Sequence, residues 1–179
     1  MTLLAQVSGL LARRGIPHAI IGAAALAAHG VARATVDLDL LATDPACLNE
    51  QEWQDLRSTG VAVEIRRGDE FDPLAGVVRV VSKDEPPIDL IVGKRSWQHE
   101  LLGRASPIRI ADAEVPIVGA ADLILLKLYA GGPQDAWDID QLLDADPSVV
   151  TDVEATLGSL PEECTLLWRR IRVQRAPSS

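Results

Sequence analysis

The chain has 179 residues, 47% hydrophobic and 24% charged, the balance of a globular protein able to bury one core, with or without an appendage. Its formal net charge of −9 excludes a general nucleic-acid coat, because affinity for phosphate backbones is supplied by Lys and Arg. Two distant cysteines, Cys47 and Cys164, make neither a zinc pattern nor a disulfide framework, and no apolar run reaches the ~18 residues of a membrane span.

Leu3, Leu4, Val7, Leu10 and Leu11 fall at helical spacing and predict a first helix over 2–14, closed by Arg13, Arg14 and Gly15. This segment has no basic region ahead of its apolar residues, so no signal peptide is expected and a cytoplasmic location is. His18 to Ile21 reads as a buried strand, Gly22 as a turn, Ala23 to His29 as a helix stopped by Gly30, and Val36 to Leu41 as a second strand. Asp44 and Pro45 predict the start of a helix reaching about Ser58. Strands are expected at Val61–Arg67, Val77–Ser82 and Ile88–Val92, then a helix from about Ser96 to Arg104 and two short strands near Ile108 and Val115. Ala120 to Ala130 is an apolar helix with one cation, Lys127. Gly131, Gly132 and Pro133 break it, Gln134 to Leu143 is another helix, and a last one starts near Pro161. Its end, with Arg169, Arg170, Arg172 and Arg175, reads as a solvated basic face or as a contact for RNA.

Successive strand residues point to opposite faces, so Asp37 and Asp39 project together while Leu38 and Leu40 point into the core. Two carboxylates inside an apolar segment require neutralisation, and oxygen ligands of this kind suit Mg²⁺. Asp89 is a third carboxylate, isolated between Ile88 and Leu90. If its strand lies beside that of Asp37 and Asp39, the three can hold a pair of ions about 4 Å apart, the arrangement that serves nucleotidyl transfer. Gly22 would let backbone approach a phosphate, with the helix at Ala23 presenting N–H groups, and Arg33 and Lys127 are candidate phosphate partners. Asp135 would pair with Lys127 or orient the site. The plainer alternatives are a solvated edge for the acids, a turn residue for Gly22, and a snorkelling cation for Lys127.

The stretch IGAAALAAHGVARATVDLDLL resembles the opening motif of minimal nucleotidyltransferases of the DNA-polymerase-β superfamily, the AbiEii-type toxin-like members in particular. Its matching positions are Gly22, Ala23, Arg33, Thr35, Asp37 and Asp39. LILLKLYAGGPQDAWDIDQLL is similar to the family's helical motif and supplies Lys127, Asp135 and Asp138. The resemblance, over roughly residues 16–143, implies a fold of α/β (α+β) class, a nucleotidyltransferase core built as a mixed, mostly antiparallel sheet flanked by helices. The change of character in the C-terminal third and the short Val118–Gly119 link place that core over 1–118 and predict a helical portion over 119–179 packed on it as one body. The resemblance also implies Mg²⁺-dependent transfer from an NTP such as ATP, with Asp37, Asp39 and Asp89 as catalytic and metal ligands. Gly22, Ala23, Arg33, Thr35, Lys127 and Asp135 would bind the nucleotide. The acceptor would be a tRNA end or a protein hydroxyl, with a cognate antitoxin if the chain is a toxin. An antibiotic is a further acceptor class, and the acids between Asp135 and Glu154 could line its pocket. Ala23 stands where the family has Gly or Ser, which leaves open a non-catalytic nucleotide- or partner-binding relative.

Overall fold

The computed structural model describes residues 1–32 and 37–175. The chain divides into two compact units, Met1–Ala24 with Ala34–Val118 and Ala25–Arg33 with Gly119–Ser179.

The first unit contains helix α1 (Leu3–Arg13), strand β1 (His18–Ile21), the start of helix α2 (Gly22–Ala28), strand β2 (Leu38–Ala42), helix α3 (Gln54–Arg57), strands β3 (Ala62–Arg67), β4 (Gly76–Val81) and β5 (Ile88–Val92), helix α4 (Ser96–Leu102), and strands β6 (Ser106–Ile110) and β7 (Ala113–Ile117). The strands form one seven-stranded sheet in the order β3-β4-β5-β2-β1-β7-β6. β1 runs parallel to β7 and β2 parallel to β5, and every other pairing is antiparallel. This is the mixed, mostly antiparallel sheet expected from the sequence. β1 is buried along its whole length, as befits a strand with a neighbour on each side. The edges protect themselves: β3 carries Glu64, Arg66 and Arg67, and β6 carries Pro107, which has no N–H to offer a stray strand.

α1 buries Leu3, Leu4, Val7, Leu10 and Leu11. Its first turn is held by two carboxylates, Glu85 accepting from the Leu3 N–H (2.8 Å) and Asp112 accepting from the Thr2 N–H (3.1 Å). The helix expected over 44–58 is instead two 3₁₀ turns, Pro45–Leu48 and Glu50–Trp53, followed by the four-residue α3. Asn49 is the cause. It adopts an extended backbone and its side chain accepts from the Gln51 N–H (3.1 Å), restarting the helix at that point. Trp53 closes the segment, fully buried, with its indole N–H donating to the Cys47 carbonyl (2.8 Å).

The second unit is helical. It contains α5 (Ala120–Ala130), α6 (Pro133–Ala145), α7 (Val150–Leu157) and α8 (Glu162–Gln174). Leu123, Ile124, Leu125 and Leu128 of α5 are buried with Ile139, Leu142 and Leu143 of α6, Val153 and Leu157 of α7, and Cys164, Trp168 and Ile171 of α8. α7 is absent from the sequence reading. Asp146 caps the turn that precedes it by accepting from the Ser148 N–H (3.0 Å), and Val149, Val153 and Leu157 mark its buried face. Among the described residues no helix is long and apolar enough to cross a membrane.

Candidate active site

Strand register assembles the carboxylates. Asp39 of β2 lies directly opposite Asp89 of the parallel strand β5, so the two side chains emerge side by side. Asp37 precedes β2 by one residue and is exposed, while Asp39 and Asp89 are half-buried. On the other side of each strand, Leu40, Ile88 and Leu90 are fully buried, which fixes which face the acids take. Asp39 also lies opposite Ile21, the last residue of β1. Gly22 follows it with a φ of +62°, and a Cβ built there would stand 2.0 Å from Asp39 Oδ2. Only glycine allows the chain to turn this closely around the carboxylate.

A residue outside the sequence reading completes the group. Arg79 of β4 lies opposite Asp89 in the antiparallel β4–β5 pair. Its Nη1 donates to Asp89 Oδ2 at 2.6 Å, and its Nη2 lies 4.0 Å from Asp37 Oδ2. Arg79, Asp89 and Asp39 thus form one row across three adjacent strands. The available signal was the single cation in GVVRVV, an otherwise apolar strand. It becomes informative only when the strand order is known. Among the described residues no three His, Cys, Asp or Glu side chains are grouped closely enough to hold a metal ion as they stand. The guanidinium is the cation that Asp89 and Asp37 face.

Arg33 and Thr35 lie outside the described residues. Lys127 is buried in the helical unit, where its Nζ donates to Asp138 Oδ2 (2.6 Å) and Asp135 Oδ1 (3.2 Å). Asp135 Oδ2 also accepts from the Gly132 N–H (3.0 Å), tying the α6 start to the Gly131–Gly132 break. Much of the acidic run is satisfied internally: Arg175 pairs with Asp140 (3.2 Å) and Asp144 (2.5 Å), and the hydroxyl and N–H of Ser148 hold the Asp146 carboxyl below the usual carboxylate range. The two thiols are buried, and burial pushes the Cys47 thiol up to about 12, so neither cysteine is placed for nucleophilic chemistry.

No family model matches the chain, and no curated protein matches it. Solved structures do. An antigenic nucleotidyltransferase-like protein from Paracoccidioides brasiliensis superposes with a TM-score of 0.57 at 16% identity, covering 97% of this chain and 87% of that one. The chain has the nucleotidyltransferase fold. The antibiotic-resistance factor ANT(2'')-Ia shares that fold, with a TM-score of 0.50 at 18% identity over 97% of this chain and 91% of that one. Its complex with adenylyl-2''-tobramycin matches at 16% identity and a TM-score of 0.50, covering 97% of both chains. On the nucleotidyltransferase fold described here, the strands that carry Asp39 and Asp89 are central neighbours, and Gly22 closes the strand beside them.

Proposed function

We propose that the chain transfers a nucleotidyl group from a nucleoside triphosphate to a hydroxyl acceptor, with Asp37, Asp39 and Asp89 as Mg²⁺ ligands. The observation that carries this reading is the in-register pair Asp39 and Asp89, with the Gly22 backbone packed against Asp39. The donor set suits Mg²⁺: hard carboxylate oxygens on one face, already facing a cation in the form of Arg79. When bound, such ions supply an activated hydroxyl and a neutralised pyrophosphate leaving group. The chain's own part is placement and proton removal. The acceptor oxygen attacks the α-phosphorus, the bond to the β-phosphate oxygen breaks, pyrophosphate leaves, and Asp89 takes the hydroxyl proton. Gly22 and Ala23 offer backbone N–H groups to the phosphates, and the proposed set extends to Arg33 and Thr35. Lys127 and Asp135 we assign to a different task, holding α5 to α6.

For the acceptor, the leading reading is a tRNA end or a protein hydroxyl, as for a toxin-like enzyme with an antitoxin partner. A second reading is a small cationic antibiotic, favoured by the fold shared with ANT(2'')-Ia along nearly the whole chain. The acids of α6 do not add to it, since Lys127 and Arg175 take up four of them. Incubation with α-labelled NTPs and Mg²⁺, with total tRNA, the protein itself or an aminoglycoside, should label one acceptor class. Labelling of none, with Mg²⁺ and all four NTPs present, would overturn the reading.

A further inference from the structure

Arg79 stands where the carboxylates need a positive charge. It is one residue in a strand whose alternate positions, Val78 and Val80, are fully buried, so its own direction is set by the core. Its position opposite Asp89 puts the guanidinium on the row that holds Asp39. The contact is short and charge-assisted at Asp89 Oδ2, and the second nitrogen reaches toward Asp37 Oδ2. One guanidinium therefore serves two of the three acids that the functional reading gives to Mg²⁺. A guanidinium held at 2.6 Å from Asp89 and a divalent ion on the same carboxylate repel each other, so the two cations compete for it.

Resting on that reading, we propose that Arg79 is a positioning residue that competes with divalent metal for Asp89 and Asp37. In the nucleotide-free protein the guanidinium holds the acids on one face and prevents their mutual repulsion from opening the row. Metal binding requires it to turn away. Its side chain is more than a third exposed, so it can leave without opening the core. The arrangement makes metal alone a weak ligand. Loading then favours the metal–nucleotide complex, whose phosphates offer the displaced guanidinium a new anionic partner.

The test is titration of nucleotide-free protein with Mn²⁺ by calorimetry, together with thermal unfolding in EDTA, on wild type, Arg79→Gln and Arg79→Lys. Arg79→Gln should bind Mn²⁺ about 10-fold more tightly, the size of one charge-assisted hydrogen bond lost by the competitor. In EDTA it should unfold at a lower temperature than wild type, and Arg79→Lys should restore most of both properties. Equal or weaker Mn²⁺ binding by Arg79→Gln overturns the competition while leaving the metal site standing. If neither wild type nor Arg79→Gln binds Mn²⁺, and Asp39→Asn changes nothing, the metal reading falls and takes the inference with it.

Discussion

Gly22 does two things that no other residue could do together. Its backbone takes a left-handed conformation, and its missing side chain leaves room for the Asp39 carboxylate. Gly22→Ala places a methyl on Asp39 Oδ2 in a conformation that costs an L-residue about 1–2 kcal/mol. The variant should lose about 1–3 kcal/mol of stability in urea unfolding and at least 10-fold in nucleotidyl transfer, because Asp39 must move. His18 is the second informative residue. It is buried, its Nδ1 donates to the Ile16 carbonyl (2.9 Å), and its Nε2 accepts from the Ser8 hydroxyl (2.7 Å), which fixes a neutral tautomer. Burial lowers its affinity for a proton below the ordinary value of 6.5. The folded chain therefore binds this proton less readily than the unfolded chain. The stability this site confers is complete above about pH 6.5 and is lost as pH falls through that value toward the folded-state pKa. The urea midpoint should drop between pH 7.5 and 5.5, and His18→Gln should show a smaller drop.

Among elements, the α5–α6 pair is joined by an ion-pair cluster around Lys127. Lys127 stands out in sequence as a lone cation on an apolar helix, and Asp135 and Asp138 as acids on the next. Their three-residue spacing lets both carboxylates meet one ammonium, and the Gly131–Gly132–Pro133 break supplies the reversal that brings the helices together. Asp138 and Lys127 are both buried, so breaking the pair leaves a charge without compensation. Lys127→Met should cost about 3–5 kcal/mol by urea unfolding, and the double variant Lys127→Met/Asp138→Leu should recover most of it. Recovery would confirm the structural role, because the cost of the single variant is the buried acid left without its partner. At this scale the sequence reading succeeded where hydrophobic periodicity was strong, as in α1, and failed where a side chain capped its own backbone. Asn49 broke an expected helix in that way, and the Asp146–Ser148 cap opened one that periodicity alone had not separated.

For the whole molecule, the acids could be found from sequence because Asp39 and Asp89 each interrupt an apolar strand, and alternation alone placed Asp37 with Asp39. Their partnership with Asp89 depends on strand order, which joins residues 50 positions apart and leaves no local trace. Arg79 was missed for the same reason: a strand cation is ordinary until the neighbouring strand is known to carry an acid at the same level. The sheet thus turns three separate sequence positions into one row, and Gly22 adds the turn that borders it. Catalysis is the task proposed for this row. Its most direct test is transfer of α-labelled nucleotide to acceptor in the presence of Mg²⁺ by wild type, Asp39→Asn and Asp89→Asn, all verified as folded by near-ultraviolet circular dichroism. Loss of at least 100-fold in both variants, with the wild type active, is the predicted result; wild-type rates in either variant would contradict it.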